Sequence, residues 1–471
     1  MMFGKGKPIG FTGGVMDLFR RIPSRETVRL GVLQSGRFHE RWARYTVVTA
    51  LGEAYQYVEL PREKRNKKRG RSACSGGQDA DRLLTHDVFD DLRVVIESDR
   101  QSLWMGGLSY DLGRYVEDVP EMIGVEDGRQ DWPVVTMHRC AGWLVHDGKD
   151  NTWAAHGSWA ANLPVWLEAA MSDEDVPETM NMFQADELKT TLTRSEYEAR
   201  INQAIEYIHA GDVFEVNITQ RFSTACQGDT RMLYANMIEA SPAWYGAYLE
   251  LAESVKGSPD ICKTIASISP ELFLELDQNG KVVTRPIKGT RPANGTASIH
   301  ALEASEKDQA ELNMVVDMLR NDLGRVCEFG SVKVTDPRTI EIHPTVVHGV
   351  STIEGQLREG CDVVDLIRAT MPGGSITGAP KVRAMEIVEE LEDVRRGMYT
   401  GAIGMIYDGK AMFNIAIRTA TIEQNTEGEG MLHYGVGGGI VSDSDAAAEY
   451  EETLDKLAAL QLALEGVDGR V

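Results

Sequence analysis

The sequence lacks closely spaced cysteines. It has six, at positions 74, 140, 226, 262, 327 and 361, and the nearest two are 34 positions apart. No C-x-x-C pair occurs, which argues against the usual zinc sites and against a scaffold of disulfide bonds. Free, scattered cysteines are typical of a reducing compartment, so we expect a cytoplasmic protein.

Long apolar runs are absent as well. No window approaches the roughly 18 uncharged apolar residues that a membrane span requires. The first 30 residues offer no signal-peptide core, because charged side chains interrupt them at Lys5, Lys7, Asp17, Arg20 and Arg21. We therefore expect neither a membrane anchor nor a secretion signal.

Basic residues are scarce relative to acidic ones. The 471 residues contain 49 Lys and Arg against 72 Asp and Glu, a formal net charge of −23. Such a chain repels phosphate backbones, which argues against nucleic-acid binding. The basic run at 61–71 has no interleaved aromatic residues and is typical of a solvated surface loop. With 42% hydrophobic residues, the chain can bury a large core as one large domain or two intimate ones.

The order of predicted elements favours an α+β fold. An irregular, acidic stretch at 151–186 suggests a soft boundary near residue 190, which separates regions 1–190 and 191–471. A capping box at Thr193–Glu196 predicts a helix that continues to Gly211. Strands are predicted at 213–222, 271–276, 281–286, 330–334, 402–407, 411–421 and 431–436. They cluster without regular βαβ alternation, which favours antiparallel or mixed sheets.

Two predicted helices carry carboxylates one turn apart. The helix at 306–323 has Asp308 and Glu311, and the helix at 445–464 has Glu449 and Glu452, with Lys456 on the same face. Carboxylates converging from two helices suit Mg²⁺, which takes a few oxygen ligands and leaves positions for water or substrate. The same spacing is also typical of ordinary solvated helix faces.

Two glycine-rich segments and one lysine complete the candidate features. The segments at 371–381 and 435–439 lack the spacing of a phosphate loop or a dinucleotide fingerprint, but glycine-rich backbone can bind a carboxylate through free amides. Lys288 lies in a stiff Pro-Ile-Lys-Gly-Thr setting. A lone lysine of this kind is usually a surface charge.

Six ordered blocks resemble the chorismate-utilising enzymes. They are 269–273, 286–290, 316–325, 372–386, 415–419 and 437–445. The resemblance covers about 193–464, and it extends more weakly to 33–36 and 107–114. Within the family, Lys288 favours the aminodeoxychorismate-forming branch, because the anthranilate-forming branch typically has alanine at this position.

The resemblance implies an architecture, an activity and a partner. The expected fold is α+β, with two large packed, mainly antiparallel β-sheets, helices outside and the site between the sheets. The expected enzyme aminates chorismate with ammonia, depends on Mg²⁺ and forms 4-amino-4-deoxychorismate, from which a separate lyase makes para-aminobenzoate for folate. A separate glutamine amidotransferase subunit is expected to supply the ammonia, since no segment here has the cysteine and histidine pattern of a glutaminase.

The resemblance also assigns roles to residues. Lys288 is the expected nucleophile, with its pKa lowered by Mg²⁺ and cationic neighbours, and Glu271 is the expected general acid. The expected magnesium ligands are Glu311 and Glu452, with Asp308 and Glu449 as partners. Substrate contacts are expected from Arg418, Gly435, Gly437, Gly438, Thr377, His348 and Lys456.

Two departures from the family pattern stand out. Glu215 occupies a position where the family usually has glutamine, and Ala293 replaces an arginine that often follows the Pro-Ile-Lys-Gly-Thr block.

Two other functions remain open. The first is an anthranilate synthase component I, which Lys288 disfavours. The second is a non-catalytic homologue that binds a small molecule, and it is disfavoured because a binding protein has no need of Glu271, Glu311, Glu452 and Lys288 together.

Overall fold

The computed structural model describes residues 3–24, 27–36, 38–59, 70–74, 87–120, 132–172, 182–251, 261–293, 295–343 and 346–466. Most of the predicted basic loop at 61–71 and of the acidic stretch after residue 172 lies outside the described residues. Within the described part of the chain, no helix is long and apolar enough to cross a membrane.

The strands are β1 (Lys7–Ile9), β2 (Leu30–Gln34), β3 (Tyr45–Ala50), β4 (Ala54–Glu59), β5 (Gly70–Cys74), β6 (Leu103–Leu108), β7 (Val135–Cys140), β8 (Gly142–Asp147), β9 (Thr152–Gly157), β10 (Phe183–Ala185), β11 (Lys189–Thr190), β12 (Glu215–Gly228), β13 (Tyr245–Leu251), β14 (Cys262–Ser269), β15 (Leu272–Leu276), β16 (Lys281–Arg285), β17 (Ile287–Pro292), β18 (Lys333–Ile342), β19 (Val346–Gln356), β20 (Gly378–Ala379), β21 (Ala402–Tyr407), β22 (Lys410–Ile415), β23 (Thr419–Gln424) and β24 (Glu429–Ile440). The helices are α1 (Val15–Arg21), α2 (Val88–Ser98), α3 (Val165–Ala170), α4 (Arg194–His209), α5 (Thr230–Ala240), α6 (Thr296–Glu303), α7 (Glu306–Gly324), α8 (Val363–Thr370), α9 (Lys381–Leu391) and α10 (Ala446–Glu465).

These strands form two large antiparallel sheets. The first has 13 strands in the order β1-β9-β8-β3-β2-β13-β14-β23-β24-β12-β10, with β11 and β20 also paired to β12. The second has 11 strands in the order β17-β19-β16-β15-β22-β21-β6-β7-β4-β5, with β18 also paired to β19. Strands from both sides of residue 190 share each sheet: β2 pairs with β13, and β6 pairs with β21. The boundary near 190 therefore stays a prediction about sequence blocks.

The two sheets pack face to face through a shared apolar core. Buried side chains of both sheets meet there, including Val47, Trp143 and Leu249 from the first sheet and Met105 and Met405 from the second. Separate clusters hold α1, α5 and α10 on the outer face of the first sheet and α2, α7 and α8 on that of the second. The expected α+β class, with packed sheets and outer helices, is confirmed.

The three helices predicted at 193–211, 306–323 and 445–464 are confirmed. Helix α4 begins with the predicted capping box: Thr193 Oγ1 accepts from the Glu196 N–H, and a Glu196 oxygen accepts from the Thr193 N–H. Helix α7 buries the predicted apolar stripe. Helix α10 begins after Asp445, whose side chain accepts from the Ala448 N–H. These ends follow from local capping, which the sequence displays directly.

Some predicted strands were wrong in extent. The single strand predicted at 411–421 is two strands, β22 and β23, separated by a bend at Arg418, whose φ is +49°. The strand predicted at 330–334 begins at Lys333 and continues to Ile342, and β24 extends beyond the predicted 431–436 at both ends. Pairing with distant strands determines these limits, so local sequence did not reveal them.

Candidate active site

Lys288 lies among carboxylates from three other elements. It is the second residue of β17, in the second sheet, and its Nζ donates a hydrogen bond to Oε1 of Glu215, the first residue of β12 in the first sheet. Oε2 of Glu311, on α7, lies 4.0 Å from Nζ. Glu271, between β14 and β15, is a third carboxyl group that raises the pKa of Lys288. The lysine is thus placed where the two sheets and α7 meet.

The protonation of Lys288 differs from the expectation. Burial alone lowers the pKa of Lys288, but the carboxylates of Glu215 and Glu311 outweigh burial and raise that pKa above its ordinary value. The expected lowering by cationic neighbours is therefore wrong for the protein's own side chains. Lys288 donates a hydrogen bond to Glu215, and the charge of Glu215 favours the protonated form of the amine.

Glu271 is placed to hold and release a proton near neutral pH. Its side chain is buried, and burial raises its pKa from 4.5 to about 7, against an opposing effect of Ser375 and Lys288. Ser375 Oγ donates a 2.6 Å hydrogen bond to Glu271 Oε1, and Ser269 Oγ accepts from the Glu271 N–H. These contacts fix the carboxyl group, and its pKa suits a general acid.

Arg418 is a guanidinium without an acidic partner. It lies in the bend between β22 and β23, and no described residue forms a hydrogen bond or ion pair with its side chain. Its backbone carbonyl accepts from the Ile268 N–H, which holds the bend in place. Burial lowers the pKa of Arg418. Arg418 is half-buried, and a partly desolvated cation with no carboxylate partner among the described residues favours an anionic ligand.

The second glycine-rich segment is part of a strand. Gly435, Gly437 and Gly438 belong to β24 and pair with β12, so the strand predicted at 431–436 continues through the glycine-rich segment. The pairing of β24 with β23 ends at Tyr434, so the segment has a described strand on one side only. A Cβ on Gly435 would lie 2.2 Å from Cδ1 of Tyr399, so this position has no room for a side chain.

Gly438 faces the acidic residues of α10. A Cβ built on Gly438 would lie 3.1 Å from Oε2 of Glu449, and Lys456 Nζ donates a 2.7 Å hydrogen bond to the carbonyl oxygen of Gly437. Lys456 Nζ also lies 2.6 Å from Oε1 of Glu452. The glycines of β24 therefore bring its backbone close to α10. Gly437 and Gly438 thus lie near Glu449, Glu452 and Lys456, the α10 residues that were predicted to belong to the same site.

The four predicted metal ligands differ in their surroundings. Burial raises the pKa of Glu311 to about 7 and also raises that of Glu449, while Lys456 outweighs burial at Glu452 and lowers its pKa. Glu449 accepts a 2.7 Å hydrogen bond from Ser444 Oγ. Oδ2 of Asp308 accepts a 2.7 Å hydrogen bond from Arg291, so Asp308, like Glu452, is already paired with a cationic side chain.

These donors suit Mg²⁺ in kind. Glu311, Glu449 and Glu452 are carboxylates whose pKa values are each raised by burial and lowered by the charge of Lys307, and a cation near them would offset their desolvation. Within the ranges that the structure describes, no three Asp, Glu, His or Cys side chains are grouped tightly enough to hold a metal ion together. The magnesium site stays a prediction that rests on donor chemistry.

Thr377 and His348 have different environments. Thr377 is buried, and its Oγ1 donates to the carbonyl oxygen of Gly373, so its hydroxyl is already engaged. His348, on β19, shares a 2.9 Å hydrogen bond with Thr290 through Nδ1, and its buried Nε2 has no partner among the described residues. Burial and the charge of Arg418 lower the pKa of His348 well below 6.5, so the ring is neutral.

The model of a known family matches most of the sequence. The match to the chorismate binding enzymes covers residues 54–462. The chain belongs to the chorismate binding enzyme family. The predicted family is thereby confirmed, and the protein is a chorismate-utilising enzyme.

Similar proteins include aminodeoxychorismate synthase components and anthranilate synthase components. One from Klebsiella aerogenes, named aminodeoxychorismate synthase component 1, is 37% identical over 374 residues, which are 77% of this chain and 77% of the relative. One from Haloarcula marismortui, named anthranilate synthase component 1 1, is 36% identical and covers 78% of this chain and 76% of the relative. The crystal structure of anthranilate synthase component I from Streptococcus pneumoniae TIGR4 matches with a TM-score of 0.73 at 25% identity, over 97% of this chain and 100% of that one.

Sequence reasoning missed several contacts in this chorismate binding enzyme. Glu215 was noted as a departure, but its hydrogen bond with Lys288 spans 73 positions and has no local signal. Ser375 lies within a motif that was recognised, yet its contact with Glu271 spans 104 positions. The sequence signal that could have pointed to Glu215 is a glutamate at the start of a strand that is otherwise rich in apolar residues.

Proposed function

We propose that this chain is an aminodeoxychorismate synthase component I, which aminates chorismate with ammonia to give 4-amino-4-deoxychorismate. A separate lyase would convert this product to para-aminobenzoate for folate synthesis, in the cytoplasm. The observation that carries the proposal is the position of Lys288. Its Nζ lies next to Glu215 and Glu311, in the same charge cluster as Glu271, where a nucleophilic amine and a proton donor act on one substrate.

Substrate binding falls to the cationic and backbone groups around this cluster. Chorismate has two carboxylates, and the unpaired guanidinium of Arg418 suits the enolpyruvyl carboxylate. We place the amides of Gly435, Gly437 and Gly438 on the same carboxylate. Neutral His348 would contact the ring, and Lys456 would add positive charge beside Gly437. The ring contact predicted for Thr377 is disfavoured, because its side chain is fully buried and its hydroxyl already donates to Gly373.

The proposed reaction has two substitution steps. Glu271 donates a proton to the 4-hydroxyl, which leaves as water, while Nζ of Lys288 bonds to ring position 2 and the ring double bonds shift. Ammonia then bonds to position 4 and loses a proton, the double bonds shift back, and the bond between Lys288 and position 2 breaks as Nζ takes up a proton and leaves as a neutral amine. The attacking amine must be neutral, and Oε1 of Glu215 is the acceptor already in contact with Nζ.

Magnesium is part of the proposal. Glu311 and Glu452 would hold the ion, Glu449 would support it, and Asp308 would contribute mainly through its contact with Arg291. When bound, Mg²⁺ supplies Lewis-acid polarisation of the ring carboxylate. The raised pKa of Glu311 and of Glu449 supports this assignment, because a cation would favour their ionised forms.

Ammonia is proposed to come from a glutamine amidotransferase subunit. The name "component 1" of the relatives suggests a second component. The five cysteines with described side chains are buried or half-buried, and burial raises the pKa of Cys140 and Cys226 to about 12. Thiols of this kind are poor nucleophiles, which is consistent with glutamine hydrolysis on another chain.

One incubation tests the proposal. Purified chain, chorismate, Mg²⁺ and ammonium are combined, and the product is identified by liquid chromatography with mass spectrometry. We expect 4-amino-4-deoxychorismate. Anthranilate would instead support the second candidate, an anthranilate synthase, whose name several relatives carry. Unchanged chorismate under all conditions would support a non-catalytic binding protein.

A further inference from the structure

The Ser375 segment, residues 371–380, connects α8 to α9 and contacts the proposed general acid. Ser375 Oγ donates a 2.6 Å hydrogen bond to Oε1 of Glu271. The backbone of Ala379, in the same segment, pairs with Glu215 at the start of β12. The position of the Ser375 segment therefore determines where the hydroxyl of Ser375 meets the carboxyl group of Glu271.

One lysine joins the two ends of the Ser375 segment. Lys381 is the first residue of α9, and its Nζ donates a 3.2 Å hydrogen bond to the carbonyl oxygen of Thr370, the last residue of α8. The same Nζ donates a 2.5 Å hydrogen bond to Oδ2 of Asp322, on α7. The side chains of Lys381 and Asp322 are 9% and 1% exposed, so water has little access to this pair. Lys381 thus holds the two ends of the segment together and ties them to α7.

Helix α7 connects this ion pair to the rest of the site. Asp322 follows Glu311 by about three turns of the helix, so the two carboxylates lie on the same face of α7. Glu311 lies 4.0 Å from Nζ of Lys288. A Cβ built on Gly374, in the Ser375 segment, would lie 3.1 Å from Cε of Met318, so the segment packs directly on α7. The face of α7 that carries Glu311 therefore also anchors the Ser375 segment.

Stability alone does not explain a buried ion pair at this place. Burial lowers the pKa of Lys381 and raises the pKa of Asp322, while the attraction between the two side chains opposes both shifts. A buried pair adds little net stability relative to apolar side chains of similar size, because the lost hydration offsets most of the attraction. Unlike an apolar pair, it imposes a direction, since Nζ must reach the oxygens of Asp322 and Thr370 together.

We infer that Lys381 is a positioning residue for the reaction: by closing the Ser375 segment against α7, it holds Ser375 in contact with Glu271. This inference rests on the proposed function, in which Glu271 donates a proton to the departing hydroxyl. Lys381 acts through the segment, since its own hydrogen bonds are with Asp322 and Thr370. Without it, Ser375 moves away, and Glu271 loses a hydrogen bond that fixes the carboxyl group and favours its ionised form.

The test replaces the pair by apolar side chains, so that no buried charge is left alone. Lys381→Met/Asp322→Leu should fold and melt at or near the temperature of the wild type. The rate of adduct formation on Lys288 without ammonia is then measured between pH 5 and 9. At pH 5 the double variant should be about 10-fold to 100-fold slower, because its acid is misplaced.

The midpoint of this pH profile distinguishes positioning from a general structural role. In the double variant the midpoint should rise by about one pH unit, because Ser375 no longer favours the ionised form of Glu271. Ser375→Ala should shift the midpoint equally. A triple variant with all three changes should shift it no further, since both sets of changes remove the same contact.

A matched control removes an ion pair outside the site. Arg44 and Asp147 lie 2.6 Å apart, and Arg44→Met/Asp147→Leu should keep the wild-type midpoint. A wild-type midpoint in Lys381→Met/Asp322→Leu, or additive shifts in the triple variant, would overturn the inference. If the double variant does not fold, Lys381→Gln takes its place and is judged by the same midpoint.

The wild type separates a failure of this inference from a failure of the proposed function. It must first form the adduct on Lys288 and, with ammonium, an aminated product; if it forms neither, the proposed function fails. If it forms both, an unmoved midpoint in the double variant counts against the role of Lys381 alone. The Kd for chorismate should stay within about twofold of the wild type, since Arg418 and the glycines of β24 lie outside the Ser375 segment. A Kd that rises in step with the loss of rate would show general loosening of the site and overturn the inference.

Discussion

Ser375 Oγ donates a 2.6 Å hydrogen bond to Oε1 of Glu271 and fixes a buried carboxyl group whose pKa is about 7. The two residues come from different segments, one before β15 and one within the glycine-rich block before β20. Burial is the largest cause of the raised pKa, and Ser375 and Lys288 both oppose it. Ionisation of this buried carboxyl group lowers the free energy of unfolding. The first two predictions depend on this loss of stability.

Glu271→Gln should lose activity and gain stability. Glutamine can still accept from Ser375 but cannot donate a proton to the leaving hydroxyl, so kcat should fall by about 100-fold or more. At pH 8 the wild type carries an ionised, buried Glu271, and its removal should raise the free energy of unfolding by about 1–3 kcal/mol. Denaturant unfolding of both proteins measures this, and a less stable, fully active variant would contradict the assignment.

The same carboxyl group predicts a direction of pH dependence. The folded state holds the proton more tightly than the unfolded chain, so the contribution of Glu271 to stability is fully present below pH 4.5 and is lost as pH rises through about 7. The rate of adduct formation without ammonia should also fall as pH rises through about 7, since Glu271 then loses the proton that it must donate. Glu271→Gln should remove the stability change between pH 5 and 8 that is due to this group.

Magnesium dependence is tested on helices α7 and α10. Glu311→Ala and Glu452→Ala should each lower kcat/KM by at least about 100-fold, because each variant removes a carboxylate that is proposed to bind the ion directly. Mg²⁺ should raise the Tm of the wild type through binding to the folded state, and both variants should lose this rise. The matched control is Glu451→Ala, since Glu451 lies on α10 and pairs with exposed Arg194. Full activity in the presence of EDTA would refute the metal assignment.

Arg418→Met should weaken substrate binding without weakening the fold. Arg418 has no ion pair to lose among the described residues, and its charge is desolvated, so the variant should be at least as stable as the wild type. Loss of a charged hydrogen bond to a carboxylate should raise the Kd for chorismate by about 10-fold to 100-fold, measured by calorimetry. Arg44→Met, which breaks the pair with Asp147, serves as control and should leave the Kd unchanged.

Local signals in the sequence predicted local structure well. The capping box of α4, the apolar stripe of α7 and the glycine, proline and strand signals near Lys288 each depend on residues within a few positions of one another. The bend at Arg418 was missed because the chain there has neither glycine nor proline, and contacts such as the Ile268 N–H to the Arg418 carbonyl hold it. The charge state of Lys288 was missed because its partner Glu215 belongs to the other sheet.

Nitrogen supply gives a prediction about the isolated chain. Alone, it should use ammonium, with a rate that rises with pH as ammonia becomes available, and it should not use glutamine. Adding the proposed glutamine amidotransferase subunit should confer glutamine-dependent product formation. Glutamine-dependent product from the purified chain without any second protein would contradict the predicted partner.

The central claim is that Lys288 forms a covalent bond with the substrate. The most direct measurement is mass spectrometry of the intact chain after incubation with chorismate and Mg²⁺ without ammonia, followed by peptide mapping. We predict an added mass equal to chorismate less one water, located on Lys288, absent from Lys288→Ala and lost when ammonium is added. Lys288→Ala should still bind chorismate, since Arg418 and the glycines of β24 remain. An adduct on another residue, or amination by Lys288→Ala at the wild-type rate, would contradict the account.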